Sequence, residues 1–318
     1  MRKLALILLG LLPTIAMAQA FPVRQVTLVC PYPPGGTTDI IPRAVAPFMS
    51  EAMGVAVIVE NRPGANGSIG AAYVAKSAPD GHTVLMAPTG VLAINQWLYK
   101  QLPYNPDKDL VPVINAATTP NMIVVHPSVP ASNLRELIAL AKAKPNSLSF
   151  ASQGNGSTGH LCGELLKVSA GIDLVHVPYK GSGPAQQDLV GGQVPMMCEN
   201  FSNAIPHVRA GRLRAIALTG TSRHPQALEI PTASESGLPG FEAGVWYSFA
   251  APSGTPKPVV DRLNAEFAKA LRQPVVVERL TRLGLAIVAD SPEEFAKFVA
   301  AESAKWRKVV QASGARVD

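Results

Sequence analysis

The sequence predicts an α/β protein of two lobes with a ligand cleft between them. Short apolar runs alternate with segments of helical periodicity along most of the chain, the order expected of mostly parallel sheets flanked by helices. The runs end repeatedly in turns rich in Gly, Ser and Thr, and this strand–turn–helix device fills two successive stretches. A later apolar run, 245–252, reads as a strand returning from the second stretch. The chain then crosses twice between lobes, which makes a hinge.

The first strand, 26–30, runs into Pro33-Pro34-Gly35-Gly36-Thr37-Thr38-Asp39 and a helix over 39–53 that stops at Gly54. First-turn N–H groups at such a junction lack intrahelical partners and carry the positive end of the helix dipole, so the spot attracts a carboxylate or phosphate. A capped helix after a tight turn, with Asp39 or a threonine as cap, is the alternative reading. A strand at 55–60, a loop 61–67, a short helix at 68–77 and a strand at 84–87 complete a βαβαβ unit. Ligands of open α/β sheets sit at the C-terminal strand ends, where these glycine loops lie.

The second unit begins with a strand at 122–125 and a helix at 134–143 capped from Ser132 or Asn133. Strands follow at 148–151, 174–177, 194–198 and 213–218, with a helix over 160–170 after the first and another helix after the second. After the returning strand, amphipathic helices at 257–272 and 292–312 are expected to cover the first lobe. The lobes are therefore placed at 21–121 plus 245–318 and at 122–244.

Arg2 and Lys3 precede an apolar stretch, 4–15, and two small-x-small sites end at Ala18 and Ala20. Residues 1–20 thus read as a cleaved signal peptide, and the stretch is too short to span a bilayer. Export implies an oxidising compartment. The formal charge of +6 falls to +4 once Arg2 and Lys3 are removed. No basic stripe with interleaved aromatics is present, so nucleic acid is a poor partner, whereas a mild positive field suits an anionic solute. Cys30, Cys162 and Cys198 match no zinc spacing, so no metal is expected, and Cys30 in its apolar strand reads as a buried thiol.

A secreted hydrolase is the competing class. Ser152 and Ser157 lie in glycine-rich loops, but no G-x-S-x-G elbow or H-E-x-x-H motif occurs and the six histidines are scattered. Gly154-Asn155-Gly156-Ser157-Thr158-Gly159 formally contains G-x-G-x-x-G after a strand. The acidic residue that a dinucleotide site needs some twenty positions on is missing, so no cofactor is expected.

Several further segments complete a pattern over nearly the whole exported chain. They include Val59-Glu60-Asn61-Arg62-Pro63-Gly64-Ala65, Ala78-Pro79-Asp80-Gly81 and Leu102-Pro103-Tyr104. Val177-Pro178-Tyr179-Lys180-Gly181, Gly191-Gly192-Gln193-Val194 and Gly237-Leu238-Pro239-Gly240-Phe241 continue it. With the two glycine loops, these resemble the substrate-binding component of tripartite tricarboxylate transporters, the Bug-type periplasmic receptors. The resemblance implies a monomeric two-lobe periplasmic-binding-protein fold, type II-like, that closes around a small organic carboxylate. It implies membrane permease subunits as partners, with solute sensing as the alternative role.

Residue by residue, the resemblance implies first-lobe contacts from Gly35, Gly36, Thr37, Thr38 and Asp39, with Thr89 and Asn95 beside them. From the second lobe it implies Asn155, Ser157, Thr158, Lys180, Gly181, Glu199 and Asn200. Repulsion favours capping or water positioning by Asp39 over contact with a carboxylate. Glu199 can meet a ligand donor or pair with Lys180, and where the family often has Asp its extra length is expected to narrow the pocket. Cysteines replace commoner family residues at 162 and 198, which implies a disulfide bracing the second-lobe wall. His160 is open between a structural and a ligand role, Arg62 is expected to pair locally, and Tyr104, Trp246 and Tyr247 line the cleft or pack in the core.

Overall fold

The computed structural model describes residues 21–317, so the signal-peptide expectation lies outside the described residues. Strand β1 (Val26–Cys30) leads to helix α1 (Thr37–Met53), then β2 (Val57–Asn61), α2 (Ser68–Ala75) and β3 (Thr83–Pro88). A π-turn, Gly90–Ile94, and short helices α3 (Asn95–Leu98) and α4 (Pro106–Asp109) precede the long strand β4 (Leu110–Val125). There follow α5 (Leu134–Ala143), β5 (Ser149–Ser152), α6 (Thr158–Ala170) and β6 (Val175–Pro178). Next come α7 (Ser182–Val190), β7 (Met196–Asn200), α8 (Phe201–Arg209) and β8 (Arg214–Leu218). The chain ends with β9 (Gly244–Pro252), α9 (Lys257–Leu271), α10 (Pro274–Arg282), β10 (Ala286–Ile287) and α11 (Pro292–Ser313).

The strands line up in the order β2-β1-β3-β9-β4-β7-β5-β6, with β8 and β10 also paired to β4. Pairing is parallel among β1, β2 and β3 and among β5, β6 and β7, and antiparallel wherever β4 or β9 takes part. Residues 110–120 of β4 pair with β9, while 121–125 pair with β7 and β8. One strand thus serves both halves of the sheet. Where it changes partners, the Asn121 N–H donates to Thr219 Oγ1 (2.9 Å), Thr219 N–H to the Asn121 carbonyl (2.9 Å) and Ala243 N–H to the Thr219 carbonyl (3.0 Å). Three crossing segments are laced at one point.

The sequence reading recovered only the last four residues of β4. Pro112, Asn115 and Pro120 read as strand breakers, but register shifts at Pro112/Ile114 and Asn115/Ala117 carry the chain past the first two, and Pro120 sits opposite Gly244 where the pairing with β9 ends. Helix α8 was missed because it follows β7 without a turn, and α10 because only two residues separate it from α9.

The C-terminal helices also differ from expectation. Helix α9 packs on α1 and β4, with Phe267 stacked on Phe249 at 4.0 Å. Helix α11 instead spans both halves, packing on the π-turn, β4 and α6. Its buried Phe295, Trp306, Val309 and Val310 share one apolar cluster with Leu161, Cys162 and Leu166 of α6. A helix of 22 residues is about 33 Å long, enough to reach across a small domain. Ser291 and Glu294 form a capping box at its start.

Cys162 of α6 and Cys198 of β7 are joined by a disulfide with Cα atoms 6.2 Å apart. Cys30 is free and buried, its thiol donating to the Thr38 carbonyl at 3.3 Å.

Trp306 is fully buried, and its Nε1 donates to Glu302 at 3.1 Å. Trp306→Ala is expected to cost about 3–5 kcal/mol, as large-to-small core changes do, read as a lowered urea midpoint.

Candidate functional site

A cavity of ≈ 490 Å³ lies where the C-terminal strand ends of the two halves meet. The first wall is the β1–α1 junction. Gly35 has φ +93°, a conformation that L side chains rarely adopt, and Gly36 is the N-cap of α1 in extended geometry. No side chain caps α1, which leaves the first-turn N–H groups of Thr37 and Thr38 for a ligand. Thr37 lies beside the Tyr247 phenol, whose proton burial holds firmly.

Asp39 is therefore not the N-cap. It occupies the third helical position, is buried, and does not line the cavity. Its carboxylate accepts from Gly35 N–H (3.0 Å), Arg43 Nε (2.9 Å) and Asn61 Nδ2 (2.8 Å), bracing the turn from behind. Burial alone would raise this carboxyl, but the three donors and the Arg43 charge outweigh it and bring it down to about 2.

The second wall is the β5–α6 junction. Gly154 and Gly156 have positive φ, and Ser157 is the N-cap, its hydroxyl accepting from His160 N–H at 3.2 Å. Some backbone donors there are already committed. Gly156 N–H donates to His160 Nδ1 (3.2 Å) and Ser157 N–H to the Gly154 carbonyl (3.1 Å). The Ser157 hydroxyl and the N-terminus of Thr158 remain. His160 is structural: it stacks on His176 at 4.0 Å, and burial lowers it to about 3.

Of the residues expected at the site, Gly35, Gly36, Thr37, Thr38, Thr89, Ser157, Thr158, Gly181 and Asn200 line this cavity. Thr89 is fully buried, and its hydroxyl bonds the Trp246 backbone, receiving its N–H at 2.9 Å. Asn95 lies one layer back, holding Asn66 (Nδ2 to Oδ1, 3.0 Å). Asn155 and Lys180 are exposed and off the lining. Glu199 is 1 % exposed, points away from the cavity, and so does not narrow it. Lys180 makes no ion pair with it, because Gln153 Nε2 (2.7 Å), Asn200 N–H (2.7 Å) and Ser182 Oγ already occupy its oxygens. Arg62 pairs locally with Glu60 at 2.7 Å, and Tyr104 is a core residue.

The sequence reading missed Tyr32, Asn66, Gln153 and Asn203 on the lining. Asn66 had a signal in its strand-end loop; it adopts φ +49° and its Nδ2 reaches the Gly156 carbonyl (3.1 Å) from the other wall. A Cβ on Gly156 would stand 3.1 Å from both Asn66 Nδ2 and Leu98 Cδ1. At the side of the cleft, a Cβ on Gly284 would stand 2.6 Å from Phe201 Cδ1. His224 Nε2 lies 3.2 Å from the Gly284 carbonyl, and Gln226 Nε2 donates to the Thr281 carbonyl at 2.6 Å.

Among the described residues, no Lys, Arg, His, Asp or Glu lines the cavity. Its polar surface is hydroxyls, amides, phenols and helix N-termini, an arrangement that binds an anion without neutralising it by a cation. A second cavity of ≈ 570 Å³ lies beside the crossing strands, and there Glu242, Asp290 and Glu302 mingle with Arg223, His224 and Lys305. It offers no comparable concentration of donors. A Ser152–His176 pair at 2.7 Å is present, but Ser152 is fully buried and outside both cavities. Among the described residues no group of three His, Cys, Asp or Glu could hold a metal.

At neutral pH, Asp39→Asn is expected to lower stability by about 1–3 kcal/mol, the range for weakening a buried charged acceptor. Asp39 titrates near 2 when folded and near 4 when unfolded. Its contribution is complete above the unfolded value and is lost as the pH falls through that interval. Urea titrations should show wild type and variant converging between those two values.

Residues 41–315 match the family described as tripartite tricarboxylate transporter family receptor. The chain is 37% identical to the protein BugT of Bordetella pertussis over 301 residues, 94% of this chain and 92% of BugT. The solved structure of Rpa4515 of R. palustris with adipate superposes with a TM-score of 0.83 at 38% identity, covering 93% of this chain and all (100%) of that one. MatC (Rpa3494) from Rhodopseudomonas palustris with bound malate gives a TM-score of 0.80 at 38% identity, covering 91% of this chain and 100% of that one. The two-lobe α/β fold, the uncharged cleft between two helix starts and these matches have one reading: the chain belongs to the tripartite tricarboxylate transporter receptor family, the Bug-type solute-binding proteins.

Proposed function

We propose that this protein is a periplasmic receptor that captures a small organic carboxylate in the cleft and delivers it to the membrane permease of a tripartite transporter. The carrying observation is the cavity itself, lined by Gly36–Thr38 on one side and by Gly156–Thr158 on the other, with no charged side chain. Two helix starts on opposite walls suit a ligand with anionic groups at both ends. Adipate and malate, bound by the two solved relatives, have that form. The proposal includes export with residues 1–20 removed, and lobes at 21–121 plus 245–318 and at 122–244 that close about the crossing at Asn121. A monomer suffices, because both walls come from one chain.

The test is a thermal-unfolding screen of the exported chain, refolded to strip carried-over ligand, against di- and tricarboxylates, acidic amino acids, aromatic acids and uncharged sugars. A carboxylate group is expected to raise the midpoint by mass action, and a screen in which only sugars act would overturn the reading. With the best carboxylate, Thr37→Ala and Ser157→Ala should each weaken binding at least about tenfold, since a hydrogen bond to a charged group contributes about 1.5–3 kcal/mol. Solution scattering of wild type should show a smaller radius of gyration with saturating ligand.

A further inference from the structure

We propose that Glu199 positions the second-lobe wall and takes up a proton when a carboxylate enters the cleft, so that capture is coupled to protonation. The proposal rests on the receptor reading above and concerns how that site handles charge.

Glu199 organises residues that touch the cavity. Its Oε1 accepts from Gln153 Nε2 (2.7 Å), Asn200 N–H (2.7 Å) and Asn203 Nδ2 (3.4 Å), and its Oε2 from the Ser182 hydroxyl. Gln153, Asn200 and Asn203 all line the cleft. Glu199 stands behind the second wall as Asp39 stands behind the first, but the two differ in counter-charge. Asp39 has Arg43 at 2.9 Å. Every donor to Glu199 is neutral.

Among the described residues, nothing packed around Glu199 supplies the missing cation, and Lys180, in the loop before Ser182, is exposed and makes no ion pair with it. Strands β4 and β5, on either side of β7, carry no titratable side chain. On α6, Lys167 is engaged by Glu164 at 2.9 Å, and His160 is neutral through burial. On α7, Asp188 accepts from Tyr179 at 2.7 Å. On α8, His207 is held neutral chiefly by burial, and Arg209 donates to the Gln226 carbonyl at 2.8 Å. The Tyr247 phenol faces it from β9 and stays protonated.

A buried carboxylate without a cation is costly, and a second negative charge beside it costs more. Burial already pushes Glu199 above the usual carboxylate range. An arriving dicarboxylate moves it further in the same direction. Protonation leaves the wall intact. The new Oε2–H donates to Ser182 Oγ, Oε1 keeps its three donors, and solvent supplies the proton. The affinity is then highest at low pH and falls as the pH rises from the Glu199 value in the free protein to its value in the complex.

The experiment is calorimetric titration of the exported full chain with malate and with adipate, between about pH 6 and about pH 9, where both are dianions. Parallel titrations in buffers of different ionisation enthalpy count protons. For wild type, Kd is expected to rise by up to about tenfold per pH unit through the window, with net proton uptake on binding. Glu199→Gln reproduces the protonated group, its Nε2 donating to Ser182 and its Oε1 accepting as before. It is expected to bind without proton uptake, at the low-pH wild-type Kd throughout. A flat wild-type profile without proton uptake overturns the proposal, as does a Glu199→Gln slope equal to wild type. If neither acid binds wild type or Glu199→Gln at any pH, the receptor reading fails instead.

Discussion

Strand β4 is shared by both halves of the sheet, and the other elements take their places from it. Its first eleven residues are paired with β9 and its last five with β7 and β8. A backbone strand resists stretching but twists and bends at little cost, so the halves stay attached while their relative angle stays soft. The hydrogen bonds among Asn121, Thr219 and Ala243 confine that softness to one point. The strand–turn–helix junctions that line the cavity project from the two sides of this crossing, and helix α11 ties the two halves together from behind.

The cleft solves an electrostatic problem by distributing it. A cation in the cavity would bind any anion strongly and release it slowly. Neutral donors and helix N-termini spread the stabilisation over many weak contacts, each sensitive to position. Both walls are braced by acids that do not line the cavity. Asp39 and Glu199 hold donors in place from the rear, one balanced by Arg43 and the other by neutral groups alone. A site for anions therefore depends on two carboxylates, at a cost in repulsion that geometry keeps moderate.

Much of this was legible in the residues. The Gly35-Gly36 and Gly154–Gly156 junctions were legible as strand–turn–helix turns, because two glycines, hydroxyls and a helix start stand together in each. Most strands, and helices α1, α2, α5, α6, α7, α9 and α11, followed from the alternation of apolar runs and helical periodicity. The continuity of β4 was hidden, since Pro112 and Pro120 look like ends of strands; a register shift follows Pro112, while Pro120 stands at the end of the pairing with β9, opposite Gly244. Nor could the resemblance tell lining from support. Asn95 and Glu199 are near the cleft in sequence pattern, yet their side chains turn away to satisfy Asn66, Gln153 and Asn200. Which way a polar side chain points depends on its partners from distant segments, and these become visible only when the chain is folded.

The halves touch across the cleft at positions that carry no side chain. Gly156 backs onto Asn66 and Leu98, and Gly284 backs onto Phe201. The close approach of the two halves is thus permitted by the absence of side chains at these positions. A single methyl group at either place would act as a wedge between the halves, and because both glycines have positive φ it would also strain the backbone that carries it. Natural variation at these two glycines would therefore change how nearly the two halves can meet.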